Sequence, residues 1–302
     1  GMSLTRYSMY ATVLANVVNV VINYFLIFGI WIFPKWGVTG AAVGTLASRV
    51  TRVVFVVFLL YRDPRTAAII RQLTPKRLYK KELNQLLQLG LPSSLQMFFE
   101  VSFFTFAIWV CGFLSKDAQA ANQIALNLSS MTFMVAMGLS VAATIRVGNQ
   151  KGFKAFGELK RIALSIFLLT LLLDVVFAGF FVACNEWLPW LYLDSATGLD
   201  TFAVAELAGS LLFIAAFFQI FDGAQVVALG SLRGLQDVRI PTWITFLAYV
   251  LIGVPVMLYL SIEADMGARG VWIGLCLGLV VSSLLLYLRF RFLSNKLIRA
   301  NG

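Results

Sequence analysis

Eight apolar segments, each close to the length of a membrane-crossing helix, dominate this sequence. A helix needs about 20 apolar residues to cross the hydrocarbon core of a bilayer. Unpaired backbone amides are too costly in lipid, so only helices and closed barrels cross it, and these segments are too long and too uniformly apolar for barrel strands. The predicted spans are residues 10–33, 38–61, 91–114, 118–143, 162–184, 204–230, 241–262 and 271–293.

The composition agrees with a lipid-facing surface. Hydrophobic residues make up 60% of the chain and charged residues 13%, whereas soluble proteins carry roughly 25% charged residues because their surface must be hydrated. The sequence therefore predicts an all-α fold, a polytopic membrane bundle of eight transmembrane helices with the lipid bilayer as its main partner.

Basic residues concentrate after every second predicted helix. The basic residues of the intervening loops are few: Lys35, Lys116 and Arg269. An excess of lysine and arginine marks cytoplasmic loops, so both ends of this chain are expected on the cytoplasmic side of a bacterial inner membrane. The net charge of +10 then follows from topology, and with no basic module interleaved with aromatic residues we expect no nucleic-acid partner. The basic segments are residues 62–81, 146–161, 233–239 and 289–299.

Two short patterns recur about 230 residues apart. The spacing Gly-x-x-Gly-x-x-x-Gly occupies residues 37–44 and 267–274, and Gly-x-x-x-x-Arg occupies residues 1–6 and 234–239. Weak repeats of this kind are typical of secondary transporters built from two similar bundles. Chance recurrence is the alternative, because small residues serve close helix packing in any membrane protein.

The repeat predicts a twelve-helix protein with pseudo-two-fold symmetry. Residues 1–62 would be the last two helices of an N-terminal lobe, and residues 91–302 a complete six-helix C-terminal lobe. Residues 63–90 are the one long polar stretch, and leucines at helical spacing opposite lysines predict a cytoplasmic linker helix there. An irregular cytoplasmic loop remains the alternative.

Three carboxylates lie inside predicted spans. A charge near the bilayer centre costs several kcal/mol, so such residues are functional candidates. Glu100 lies about 14 Å from Leu91, where with Pro92 its helix is expected to begin, and Asp222 about 16 Å from Arg233, which matches their depths. Phenylalanines surround both acids. Apolar surroundings and a second acid disfavour two full charges, which leaves a site able to exchange a proton or a sodium ion. For Asp174 the sequence indicates no converging partner and favours a structural role.

Amides and arginines also lie within the spans. Asn19 and Asn23 are one turn apart, as are Gln123 and Asn127; each pair could offer amide oxygens to an ion or substrate, or make interhelical hydrogen bonds. Arg49 and Arg52 form a similar pair, which is expected to face an interior cavity or further helices.

Several runs, in chain order, resemble the multidrug and toxic compound extrusion (MATE) family. The resemblance implies two six-helix lobes around a central cleft, with this chain covering the fifth to twelfth helices. It also implies export of small organic cations driven by inward sodium or proton flow. The runs are LGLPSSLQMFFE (89–100), ANQI (121–124), RVGNQKG (146–152), FDGAQ (221–225) and LRGL (232–235).

The resemblance also assigns residues. It implies that Glu100 and Asp222 are the acids of the cation site in the C-terminal lobe, and that Asn19 and Asn23 are the polar pair on the fifth helix. Some members carry aspartate at the second of these positions, so Asn23 weakens a proton site there. Phe218 stands where some sodium-coupled members carry tyrosine.

The sequence-level hypothesis is thus an antiporter that works by alternating access, coupled to Na⁺ or H⁺ and monomeric when full length. Glu100 and Asp222 would bind the cation, and Asn19, Asn23, Gln123 and Phe218 would line the cleft. No cofactor, and no metal beyond Na⁺ at the two acids, is expected. The chain has no histidine and no P-loop or GxSxG motif, which argues against an enzyme. A lipid-linked sugar flippase of the same superfamily and a transport-dead fragment are the alternatives.

Overall fold

Helices account for every long element in the computed structural model, which describes residues 5–30, 34–64, 66–67, 80–193 and 201–301. All eight are long and apolar enough to cross a membrane, which confirms the predicted number and order of spans. Most of them extend beyond the predicted segments. They are α1 (Thr5–Phe28), α2 (Val38–Arg62), α3 (Lys80–Leu114), α4 (Lys116–Gly152), α5 (Phe156–Cys184), α6 (Thr201–Gly234), α7 (Arg239–Glu263) and α8 (Gly267–Asn301).

Helix α3 begins earlier than its apolar run. It starts at Lys80 and continues through Pro92, where the sequence suggested a beginning. Lysine, glutamate, leucine and glutamine at its start are good helix formers, so the helix extends beyond the part that lipid can cover. Ser93 Oγ donates to the Leu89 carbonyl at 2.8 Å beside the proline. The part of the expected linker at residues 68–79 lies outside the described residues.

The chain divides into two units, residues 1–80 and 81–302. In unit 1, α1 and α2 form an antiparallel hairpin, since the Tyr7 hydroxyl near its open end donates to Asp63 Oδ2 at 3.0 Å. At the closed end Gly37 adopts a positive φ of 53°. A Cβ on Gly40 would lie 2.8 Å from the Leu26 carbonyl carbon, so the helices touch through their backbones.

Helices α7 and α8 repeat this hairpin within unit 2. Gly267 has a φ of 55°, and a Cβ on Gly270 would lie 2.6 Å from the Leu260 carbonyl carbon. The glycines matched in sequence therefore share both a turn conformation that favours glycine and a close backbone approach. This common geometry argues against a chance recurrence.

Helix α6 is the central helix of unit 2 and packs against α4, α5 and α8. Small side chains bring α4 and α6 close together. Ser140 Oγ donates to the Val226 carbonyl at 2.6 Å, and Thr144 Oγ1 donates to the Gly230 carbonyl at 2.8 Å. Hydrogen bonds and small residues of this kind drive helix association in lipid, where apolar surface alone gives little preference.

Helix α7 is irregular. Two π-helical segments, Leu247–Gly253 and Tyr259–Glu263, alternate with α-helical segments. Pro255 follows the first π segment and has no N–H to donate to the carbonyl four residues earlier. The hydrogen-bonding pattern of the helix is therefore irregular there. The change of winding alters which face each residue of α7 presents to its neighbours.

Basic residues gather at one end of unit 2. Lys151 Nζ donates to the Leu235 carbonyl at 2.7 Å, and Lys160 Nζ donates to Asn295 Oδ1 at 2.9 Å. Arg289 forms an ion pair with Asp237 at 2.8 Å. The ends of α4, α6 and α8 and the start of α5 thus meet at one end of unit 2.

Candidate functional site

A cavity of about 420 Å³ opens between α3, α4 and α6, all within unit 2. Its wall combines apolar side chains with a small set of polar and charged ones. Glu100 and Asp222 both line it, as the sequence hypothesis requires. The polar lining residues are Glu100, Thr105, Gln123, Asn127, Ser129, Ser130, Asp222 and Arg233.

The two carboxylates lie at a similar level along their helices. Phe104 is one turn after Glu100 and Phe218 one turn before Asp222, and their rings meet edge to face with centroids 5.9 Å apart. The charge of Asp222 interacts with that of Glu100. Asp222 is 5% exposed, and its Oδ1 has no hydrogen-bond partner among the described residues. A buried oxygen without a donor fits a bound proton or cation.

Asp174 also converges on this region, so the expectation that it has no neighbour was wrong. Its carboxylate on α5 lies against Gly223, where a Cβ would be only 2.7 Å from Asp174 Cγ. Its charge interacts with that of Asp222, the residue before this glycine. Asp174 can approach this closely because glycine has no side chain at position 223. The spacing of the acids in the sequence does not indicate this contact. Asp174 does not line the cavity.

Tyr249 and Gln225 form a buried polar pair that joins α7 to α6. The buried Tyr249 hydroxyl on α7 donates to Gln225 Oε1 at 2.5 Å, and its ring stacks on Phe103 with centroids 4.8 Å apart. Sequence reasoning missed this tyrosine because it lies in the π segment, where the ordinary helical period does not apply.

The ANQI run on α4 has two different uses. Asn122 is fully buried and accepts a hydrogen bond at 2.9 Å from Trp272 Nε1, so it joins α4 to α8. Gln123 and Asn127 instead line the cavity. Phe218 lines the cavity as well, and its buried ring meets that of Trp272 edge to face with centroids 5.3 Å apart.

The remaining candidates belong to unit 1. Asn23 Nδ2 donates to Asn19 Oδ1 at 3.2 Å, within one helix. Asn23 also packs against Gly44 of α2, and its Oδ1 has no partner in the described part of the chain. Arg49 and Arg52 are exposed on α2. Nothing in the described part of unit 1 brings the asparagine pair and the arginine pair together.

Comparison with known proteins identifies this arrangement. The MatE family model matches residues 92–258, more than half of the chain. The chain belongs to the MATE family. The resemblance drawn from the sequence is therefore confirmed, and with it a multi-pass membrane protein of a transporter family.

Individual relatives agree with this MATE assignment. A probable multidrug resistance protein NorM from Acinetobacter baylyi is 34% identical over 288 residues, covering 95% of this chain and 62% of the relative. The multidrug resistance protein MdtK of Yersinia pestis is 36% identical over 307 residues, covering 98% of this chain and 64% of that protein. The MATE chain thus spans less than two thirds of these relatives.

A solved structure shows the same fold. The crystal structure of the eukaryotic MATE transporter AtDTX14 matches with a TM-score of 0.81 at 20% identity, covering 97% of this chain and 64% of that one. Its match, like the family model, includes the helices that carry Glu100 and Asp222.

Arg233 is the functional candidate in this MATE chain that the sequence pattern concealed. Its position after a predicted span marked it as a residue that sets topology. The side chain instead lines the cavity, and its Nη2 donates to Gln96 Oε1 at 3.3 Å. Its place in the LRGL run was the one signal of a more specific role.

Proposed function

We propose that the full-length protein is an ion-coupled antiporter that exports small organic cations from the bacterial cytoplasm, with the basic helix ends on the cytoplasmic side. Glu100 and Asp222 form the site that the coupling ion and the exported cation share. The observation that carries this proposal is the presence of both carboxylates in one cavity, with a buried Asp222 oxygen that lacks a donor.

The lining of the cavity suits an organic cation. Two carboxylates and one guanidinium leave it with one excess negative charge when the acids are ionised. Phe104 and Phe218 add aromatic surface beside the acids, and such faces attract cations. A cavity that is mostly apolar, with a few polar groups that fix orientation, is typical of small-molecule sites.

Transport follows from competition for these carboxylates. A Na⁺ or H⁺ that enters from outside binds at Glu100 and Asp222, cancels the one excess negative charge of the cavity and so weakens the hold on a bound organic cation, which leaves outward. Release of the ion on the cytoplasmic side restores the charge and the affinity. A ligand shifts the equilibrium between inward-open and outward-open states only by its differential affinity for them, so the site must bind the two cations differently in each state.

The alternative of a lipid-linked sugar flippase requires an anion site. Among the described residues that line the cavity, Arg233 is the one basic residue, against two acids. Arg49 and Arg52 are exposed on unit 1 and are the best support for a pyrophosphate group. The excess of carboxylates around the cavity favours the cation exporter.

The test is ethidium efflux from an efflux-deficient bacterial strain that expresses the full-length gene, under imposed Na⁺ or pH gradients. Glu100→Gln and Asp222→Asn are each expected to abolish gradient-driven efflux. Glu158→Gln, which changes an exposed carboxylate at the start of α5, is the matched control and should keep it. Unchanged efflux in both cavity variants would refute the site, and the gradient that drives efflux identifies the ion.

A further inference from the structure

Arg233 is a cation already built into the proposed cation cavity. It is the penultimate residue of α6, about 16 Å beyond Asp222 along the helix. It lines the cavity wall together with both acids. A guanidinium there fills space that an entering organic cation would need. It also offsets part of the negative charge that would attract that cation.

The hydrogen bonding of Arg233 is incomplete. Its Nη2 donates to Gln96 Oε1 at 3.3 Å, a neutral partner, while its buried Nε has no partner in the part of the chain that the structure describes. Gln96 is 1% exposed, and its own Nε2 is also unpaired there. Guanidinium groups prefer carboxylates, with which they form two parallel hydrogen bonds. The observed contact is therefore a weak one for an arginine.

A carboxylate is available one turn away. Glu100 follows Gln96 by four residues on α3, so the two side chains share a helix face, about 6 Å apart along the axis. Arg233 and Glu100 already interact electrostatically, although they form no direct ion pair among the described residues. Rotation about the bonds of a long side chain covers this distance without moving either helix.

We propose that Arg233 is a tethered counter-cation that alternates between Gln96 and Glu100 and competes with the exported cation for Glu100. The inference rests on the proposed function, because it takes Glu100 as the cation site. With Arg233 on Gln96, Glu100 is free to bind a cation. When the site is empty, Arg233 moves to Glu100 and removes the cost of an unpaired charge within the membrane. A transported cation must then displace the arginine, which limits its affinity and assists its release.

Equilibrium binding of ethidium to the purified full-length transporter tests this competition, at fixed pH and without sodium. Arg233→Gln removes the competitor and is expected to tighten binding about tenfold, within the usual range for coupled sites. Arg233→Lys keeps a cation on the tether and should bind close to wild type. Gln96→Leu removes the partner that holds Arg233 away from Glu100, favours the pairing of Arg233 with Glu100, and should weaken binding. Arg239→Gln, an exposed arginine outside this cavity, is the matched control.

The expected changes in ethidium affinity distinguish competition by Arg233 from a purely structural role. If Arg233 only holds the fold, Arg233→Gln binds ethidium no more tightly than wild type, and that result would overturn the proposal. Should Arg233→Gln fail to fold, as judged by size-exclusion chromatography, Gln96→Leu decides: unchanged or tighter binding refutes the tether.

Glu100→Gln distinguishes this failure from that of the proposed function. If Glu100→Gln leaves ethidium affinity unchanged, the cation site itself is wrong. If it weakens binding and Arg233→Gln does not tighten it, only the tether is wrong. In the double variant, Arg233→Gln should add no effect to Glu100→Gln, because the competitor then has no carboxylate to occupy.

Discussion

Gly230 on α6 lies against the backbone of α4, and a methyl group there has no room. A Cβ at this position would overlap the Ser140 carbonyl oxygen and lie 3.0 Å from its carbon. The Ser140 hydroxyl would overlap it as well and could rotate away, but the carbonyl is backbone, so Gly230→Ala can be accommodated only if the two helices move apart. That movement would stretch the hydrogen bonds from Ser140 to Val226 and from Thr144 to Gly230, now 2.6 and 2.8 Å long.

The structure sets the size of the effect. Overpacking of a tight contact costs about 1–3 kcal/mol, and an interhelical hydrogen bond in a membrane protein contributes about 0.6 kcal/mol. Replacing glycine by alanine within a helix returns about 0.5–1 kcal/mol. We therefore expect Gly230→Ala to lower the free energy of unfolding by about 2 kcal/mol, a roughly 30-fold fall in the ratio of folded to unfolded protein.

Unfolding in mixed detergent micelles, followed by tryptophan fluorescence, measures this change. Gly138→Ala on α4 is the matched control, since a Cβ there meets nothing within 4 Å, and it should be as stable as wild type or slightly more so. Equal unfolding midpoints for Gly230→Ala and Gly138→Ala would show that the α4–α6 contact is not as close as described.

Three further predictions concern Asp174, Tyr249 and the two cavity carboxylates. Asp174→Asn removes a buried charge beside Asp222 in a nearly unchanged shape and should weaken ethidium binding about fivefold; equal affinity in a binding titration would contradict the coupling. Tyr249→Phe leaves Gln225 Oε1 without a donor and should cost about 1–2 kcal/mol in the same unfolding assay, part of which Gln225→Leu should recover when combined with it. Lower pH should weaken ethidium binding, because a proton on either cavity carboxylate removes the charge that holds the cation; the triple variant Glu100→Gln/Asp174→Asn/Asp222→Asn, which lacks all three buried carboxylates, should show no such dependence in pH titrations.

The membrane spans could be predicted because lipid imposes a simple rule on them. A helix that crosses it needs a long apolar segment, and eight such segments gave eight helices. The ends of the helices could not be predicted in the same way. At Lys80–Leu114 the apolar run marks only the part in lipid, whereas the helix continues through good helix formers beyond it.

The candidate site was recoverable for a similar reason. Carboxylates are so costly within lipid that Glu100 and Asp222 stood out, and both line one cavity. The approach of Asp174 could not be foreseen, since it depends on what is missing at Gly223. Arg233 was concealed because an arginine near a helix end normally indicates orientation, and only coordinates show that its side chain turns inward.

The winding of α7 has a consequence for motion. A π turn holds one residue more than an α turn while still pairing its backbone groups, so the extra residue can pass along the helix as a travelling bulge. Each step rotates a residue by about 100° and shifts it by about 1.5 Å. With one such segment on either side of Val254–Leu258, we expect a shift of the first segment to turn Tyr249 in a new direction while the peptide groups of α7 stay paired within the lipid.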